Sequence, residues 1–139
     1  MRITLFSVEE ANRLLPEIRP RVDQLRAQKR ELDRLETRLG VLSLATAGAD
    51  EANPDAAELR TLAAKRQRLG SLIGRELAHL DERGVVVKDL DSGLCDFYAL
   101  RGDRLVFLCW RADEPEVAHW HALEDGFAGR RPLKGAERG

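Results

Sequence analysis

The sequence predicts an α+β fold in which a long antiparallel α-helical hairpin packs on a small antiparallel β-meander. Two observations support this prediction. Apolar residues recur at helical spacing in the first part of the chain, and they then change to short strand-like runs separated by turn residues. A chain of 139 residues is long enough for one domain. We divide it into the helical hairpin (7–83), the β-meander (84–125) and a C-terminal loop and tail (126–139).

The first helical segment begins at Ser7, which forms a capping-box pattern with the glutamate three residues later. Its apolar residues lie on one side of a helix, but Pro16 and Pro20 fall inside the pattern. Because proline lacks a backbone N–H and crowds the preceding turn, we expect the helix to break or kink there. The expected elements are a short helix over roughly 8–15 and a long helix over roughly 16–44.

The second helical segment is expected over 54–83, with Asn53 as its N-cap and Gly84 as its C-terminal stop. Its length and apolar stripe match those of the first long helix, and the connecting loop is short. Such helices pack side by side as an antiparallel hairpin. Gly70 and Gly74 either mark a close approach of the two helices or are two tolerated glycines.

Four strands are expected after the helices, at about 85–87, 94–100, 105–111 and 117–121, with turn residues between them. The second and third strands form a hairpin. With a two-residue loop at 102–103, alternate side chains of each strand would share one face of the hairpin. With a three-residue loop, each residue would lie opposite a different partner on the other strand.

The loop length also decides the environment of the two cysteines. In the three-residue register Cys95 and Cys109 could face each other and pair under oxidation, although buried cysteines in a reducing compartment usually only fill the core. In both registers the two faces of the hairpin remain largely apolar. The helices can cover one face, so the other requires a second chain or the tail after Gly126. We therefore expect a homodimer.

The most promising chemical motif is His119-Trp120-His121, followed by Glu124. On a strand, residues two apart face the same side, so the two histidines would point together. We predict that His119, His121 and Glu124 bind a divalent transition-metal ion. Replacing His121 with Ala is expected to remove binding and leave the fold intact. The alternative is that the histidines are surface residues and that Glu124 pairs with Arg130.

A second motif is the glycine-flanked loop 126–132, which carries Arg130 and Arg131. Paired arginines can hold a phosphate or carboxylate group through bidentate hydrogen bonds. The alternative is that they are solvated or paired to neighbouring acidic residues. We include Asp96 and Trp120 with the two arginines as candidate ligand-binding residues.

Composition excludes several functional classes. The chain carries 23 basic and 24 acidic residues, and the net charge of −1 argues against a dedicated nucleic-acid-binding protein. No apolar run is long enough to span a membrane, and the first residues lack the pattern of a signal peptide. Two cysteines are too few for a disulfide scaffold. We expect a soluble cytoplasmic protein.

Several segments are similar to motifs of DUF2203, a bacterial family of unknown function. They are SVEEANRLLP at 7–16, KDLDSGLCDF at 88–97, LCWR at 108–111 and the stretch from Trp120 to Arg130. The resemblance covers nearly the whole chain. It implies membership of an uncharacterised family and supplies no catalytic residues.

These observations support three hypotheses. The first is a protein that binds a ligand or a metal ion through the His/Glu cluster. The second is a non-enzymatic interaction module whose helical hairpin docks a protein partner or a second copy of the chain. The third is an anion-binding enzyme that uses Arg130 and Arg131.

Overall fold

The computed structural model describes residues 3–48 and 52–134, so residues 135–139 of the predicted C-terminal tail lie outside the described residues. Within this part, two helices and a five-stranded antiparallel sheet form the predicted α+β fold. Each strand pairs with the next along the chain. The elements are α1 (Val8–Ala45), α2 (Pro54–Glu82), β1 (Val85–Asp89), β2 (Leu94–Arg101), β3 (Arg104–Trp110), β4 (His119–Ala122), a 3-10 turn (Phe127–Gly129) and β5 (Arg131–Pro132).

Helix α1 is continuous through Pro16 and Pro20, so the predicted division into helices at 8–15 and 16–44 is wrong. Both prolines lie on the exposed side of the helix, where water can bond the carbonyl groups that lose an N–H donor. The opposite side carries an unbroken buried stripe past the prolines. Burial of this stripe therefore outweighs the local cost of proline.

Two polar side chains beside the prolines hold α1 against the segment between β3 and β4. The side-chain amide of Asn12 donates to the carbonyl of Val117 and accepts from its N–H. The guanidinium of Arg19 donates to the carbonyls of Ala112, Glu114 and Pro115. These contacts attach the β3–β4 connection to the helix.

The antiparallel hairpin is confirmed. Ion pairs join Arg21 to Glu76 and, farther along α1, Arg38 to Glu58 nearer the start of α2. The predicted capping box of α1 is present, and Asn53 caps α2 through its side chain. No atom would meet a Cβ within 4 Å at either glycine of α2, which supports the interpretation that they are tolerated glycines.

Gly84 connects the hairpin to the sheet. It ends α2 with a φ of +88°, a left-handed conformation that disfavours other residues, and a Cβ there would meet Phe6 and Thr4 at 2.8 Å. The segment containing these residues runs beside β2, where the Phe6 N–H donates to the Tyr98 carbonyl. Any side chain at position 84 would therefore collide with the chain's N-terminal segment.

The β2–β3 hairpin has the two-residue loop, because Arg101 pairs with Arg104. One face of the sheet packs on the helices, and we call the other the outer face. Away from the turn, the helix-facing side chains of the two strands are buried, and they are Cys95, Phe97, Ala99, Val106, Leu108 and Trp110. Cys95 and Cys109 lie on opposite faces, and both are free thiols. The pairing considered for the three-residue register therefore does not occur.

The outer face is buried at its centre within a single chain and exposed near the β2–β3 turn. Asp96, Phe107, Cys109 and His121 are all buried, whereas Leu100 is 56% exposed. Neither helix is long and apolar enough to cross a membrane, in the residues that the structure describes.

Candidate functional site

Three neighbouring strands bring Asp96, Cys109 and His121 together on the outer face. Asp96 of β2 lies opposite Cys109 of β3, and His121 of β4 lies opposite Phe107 of β3. A carboxylate oxygen, the thiol sulfur and an imidazole nitrogen all lie within 4.8 Å of one another. The three residues are between 0% and 3% exposed. We call them the Asp–Cys–His cluster.

Hydrogen bonds fix the orientation of the His121 ring. Its Nδ1 lies 2.8 Å from the carbonyl oxygen of Ala122, and its Nε2 lies 3.1 Å from both carboxylate oxygens of Asp96. Because a carbonyl can only accept, Nδ1 carries a proton. Nε2 and Asp96 therefore share one further proton, as an imidazolium–carboxylate pair or as a neutral imidazole with a carboxylic acid.

Burial controls the protonation of the other two residues of the cluster. Desolvation raises the pKa of the Asp96 carboxyl above its usual range, opposed by His121 and then by the ammonium of Lys88. Desolvation, followed by the negative charge of Asp96, raises the pKa of the Cys109 thiol to about 12. Cys109 is therefore a thiol at neutral pH and has none of the character of a reactive thiolate.

Lys88 is the solvent-exposed residue beside the cluster. Its Nζ lies 3.9 Å from Oδ2 of Asp96 and 4.4 Å from the centroid of the Phe107 ring. Its side chain is 41% exposed, compared with 2% for that of Asp96. Lys88 thus lies between the buried carboxylate and solvent.

Of the predicted metal ligands, only His121 belongs to the cluster. His121 is a buried residue, so the alternative interpretation that both histidines are surface residues is wrong for His121. His119 lies on the same face, opposite Cys109, and its Nδ1 is 3.6 Å from Oε2 of Glu114. Glu124 is exposed and contacts Arg104 at 3.3 Å, so it does not pair with Arg130 as the alternative proposed.

Of the predicted ligand-binding residues, Asp96 belongs to the cluster and the others lie elsewhere. Arg130 makes a bidentate contact with the carboxylate of Glu114, at 2.9 and 2.7 Å, and also donates to the carbonyl of Cys109. Trp120 is buried on the helix-facing side, and the guanidinium of Arg131 lies 5.5 Å from the centroid of its ring. The two arginines therefore do not converge on one anion-binding site.

Cys109 is the residue of the cluster that the sequence motifs did not indicate. The two-residue register already places Cys109 and Asp96 on the same face. The position of His121 beside these two residues depends on the register between β3 and β4. The eight-residue connection 111–118 does not determine that register, so the sequence alone does not place His121 there.

Comparison with known proteins gives one result. The model of the family described as "Uncharacterized conserved protein (DUF2203)" matches residues 4–133. No curated protein and no solved structure matches the chain significantly.

Proposed function

The chain belongs to the DUF2203 family, and we propose that it binds a divalent transition-metal ion through Asp96, Cys109 and His121. The observation that carries this proposal is the convergence of three different ligand atoms within 4.8 Å at a buried position. Buried ionisable groups are costly unless they are paired or bind a metal ion. A metal ion would account for all three residues at once.

The chemistry of the donors favours zinc. Zn²⁺ accepts sulfur from cysteine, nitrogen from histidine and oxygen from aspartate, and three protein ligands leave its fourth position open. The bond from Nδ1 of His121 to the Ala122 carbonyl supports the same conclusion. A histidine ligand typically donates its other ring N–H in this way, which orients the coordinating nitrogen.

Charge balance also favours a divalent ion. With Asp96 and Cys109 ionised and His121 neutral, the ligands carry two negative charges, so the bound ion would be neutralised. The ion would replace the thiol proton of Cys109 and the proton shared by Nε2 of His121 and Asp96. Two protons would therefore leave for each ion bound, which calorimetry in buffers of different ionisation enthalpy can count.

The decisive experiment compares the two buried thiols. Metal-free protein is titrated calorimetrically with zinc, nickel, manganese and ferrous ions, and with cobalt while a thiolate-to-cobalt absorption band is recorded. We expect Cys109→Ser to abolish the band and weaken zinc binding at least tenfold. Cys95→Ser is the matched control, because Cys95 is equally buried but lies on the helix-facing side. It should bind as wild type does.

Two results would contradict the proposal. One is wild-type affinity for every ion weaker than about 10 µM, roughly −7 kcal/mol. The other is an equal effect of the two cysteine substitutions on zinc affinity. Either result would leave the cluster as a hydrogen-bonded part of the core.

A second candidate function is self-association, either through the helical hairpin or through the outer face. Exposed aliphatic side chains favour it, namely Val41 and Leu44 near the end of α1 and Leu100 and Leu123 near the β2–β3 turn. We propose that the chain forms a homodimer. Light scattering at high micromolar concentration should give a dimer mass, and Leu44→Ser and Leu100→Ser would show which surface is responsible. A monomer mass for the wild type would reject this candidate.

A further inference from the structure

A β-bulge places Lys88 at the entrance to the Asp–Cys–His cluster. In the pairing of β1 with β2, Val87 lies opposite Cys95, and the next pair along is Asp89 with Leu94. Lys88 is therefore the extra residue on β1, with no partner of its own in the register of β2. Bulges re-aim side chains and are frequent beside functional sites. Here the bulge coincides with a lysine whose ammonium lies 3.9 Å from the carboxylate of Asp96.

The ammonium group is the partly exposed cationic neighbour of the buried Asp96 carboxylate, so it acts on a cation that approaches this carboxylate from the Lys88 side. Its stem is partly exposed and its Nζ lies over the Phe107 ring, 4.4 Å from the centroid, so the aromatic ring and Asp96 together hold the charge near the cluster. Before an ion binds, this charge partly compensates that of Asp96. After an ion binds, two like-charged groups would compete for the same carboxylate.

We infer that Lys88 is an electrostatic gate that lowers the affinity of the cluster for a divalent cation and slows its entry. This inference rests on the proposed metal-binding function. To admit the ion, the flexible side chain moves its ammonium out towards solvent, which costs its contacts with Asp96 and Phe107. Neutralising the residue removes both that cost and the repulsion. At the effective dielectric of a partly buried site, a charge this close alters affinity by roughly tenfold or more.

The test measures zinc affinity and association rate in Lys88→Gln, Lys88→Arg and a matched control. Lys29→Gln is the control because Lys29 also pairs with aspartates, Asp33 and Asp91, but on the surface of α1. We expect Lys88→Gln to bind zinc about tenfold more tightly and faster than wild type. Lys88→Arg and Lys29→Gln should behave as wild type does. Unchanged or weaker zinc binding by Lys88→Gln would overturn the inference.

Salt dependence separates a gate that acts by charge from a purely structural lysine. The difference in association rate between wild type and Lys88→Gln should shrink as added salt screens the ammonium. A difference that does not change with salt would contradict the gate. If circular dichroism shows that Lys88→Gln is unfolded, Lys88→Leu, which keeps an apolar stem over Phe107, replaces it in both measurements.

The outcomes also separate this inference from the proposed function. If wild type binds zinc, Cys109→Ser does not, and Lys88→Gln equals wild type, only the gate is wrong. If wild type and Lys88→Gln both fail to bind zinc, the metal-binding function fails and the gate fails with it.

Discussion

Both faces of the sheet bury side chains at their centres, but only the outer face buries a carboxyl group and an imidazole there. On the helix-facing side, Phe97 and Trp110 belong to a continuous apolar core. On the outer face, Asp96 and His121 are equally buried but ionisable. Apolar burial stabilises a fold directly, whereas burial of a charge pair often contributes little net stability. Burial alone therefore does not separate the core from the candidate site, whereas the chemistry of the buried side chains does.

The largest effect is expected on the helix-facing side. Phe97 is fully buried and meets the Phe6 ring edge-on, with 5.2 Å between the ring centroids. Phe97→Ala should lower the free energy of unfolding by about 3–5 kcal/mol through lost burial and the cavity left behind. Urea unfolding measures this. The control is Leu100→Ala on the exposed part of the outer face, which should change stability by no more than about 0.5 kcal/mol. Equal losses would refute the contrast between the faces.

A somewhat smaller loss is expected when the buried pair of the outer face is broken. Because His121 is buried against Asp96, His121→Ala leaves a carboxyl group without its main partner. Metal-free His121→Ala should lose about 3 kcal/mol of unfolding free energy. This revises the expectation from the sequence that the substitution would leave the fold intact.

The matched variant replaces both members of the pair. Asp96→Leu combined with His121→Leu removes the charges and keeps the volume, so it should unfold within about 1 kcal/mol of wild type or be more stable. A double variant less stable than His121→Ala would show that the pair itself stabilises the outer face. The contrast in chemistry between the two faces would then lose its energetic basis.

The strands of the hairpin were predictable from the sequence, whereas their register and the site were predictable only in part. Side chains alternate along β2 and β3, but the sequence left the loop at two or three residues and made both faces largely apolar, so it did not show which face packs on the helices. The continuity of α1 depends on tertiary packing of its buried side, which outweighs a local rule about proline. The Asp–Cys–His cluster forms only when the third strand, β4, pairs with β3 in one particular register. Because a long connection joins β3 to β4, the sequence does not predict that register.

Glu114 forms an ion pair with Arg130 beside the outer face. Burial alone would raise the pKa of its carboxyl, but the hydrogen bonds from Arg130, then the Arg111 N–H, lower it below the ordinary 4.5. Its ionised form therefore stabilises the fold above the unfolded pKa, and this stability is lost as the pH falls through the folded pKa. Glu114→Gln should cost about 2 kcal/mol at pH 7 and progressively less in acid.

Urea unfolding at a series of pH values between about 7 and 3 measures this dependence. Glu9→Gln is the control, because Glu9 pairs with Arg13 on the exposed surface of α1. Such a pair contributes little, so its removal should leave the stability profile unchanged. A loss for Glu114→Gln that stays constant with pH would contradict the role assigned to its charge.

The smallest expected effects separate the observed cluster from the ligand set predicted by the motif. Glu124 is exposed and bonded to Arg104, and His119 points its Nδ1 towards Glu114. Glu124→Gln and His119→Asn should therefore bind zinc with wild-type affinity, within about twofold, whereas Asp96→Asn should weaken it at least tenfold by removing a charged ligand. Calorimetric titration of the three variants under identical conditions provides the comparison.

A strong loss of zinc affinity in His119→Asn would mean that His119, which lies opposite Cys109, supplies the fourth ligand. A strong loss in Glu124→Gln would require the chain after β4 to fold back over the outer face.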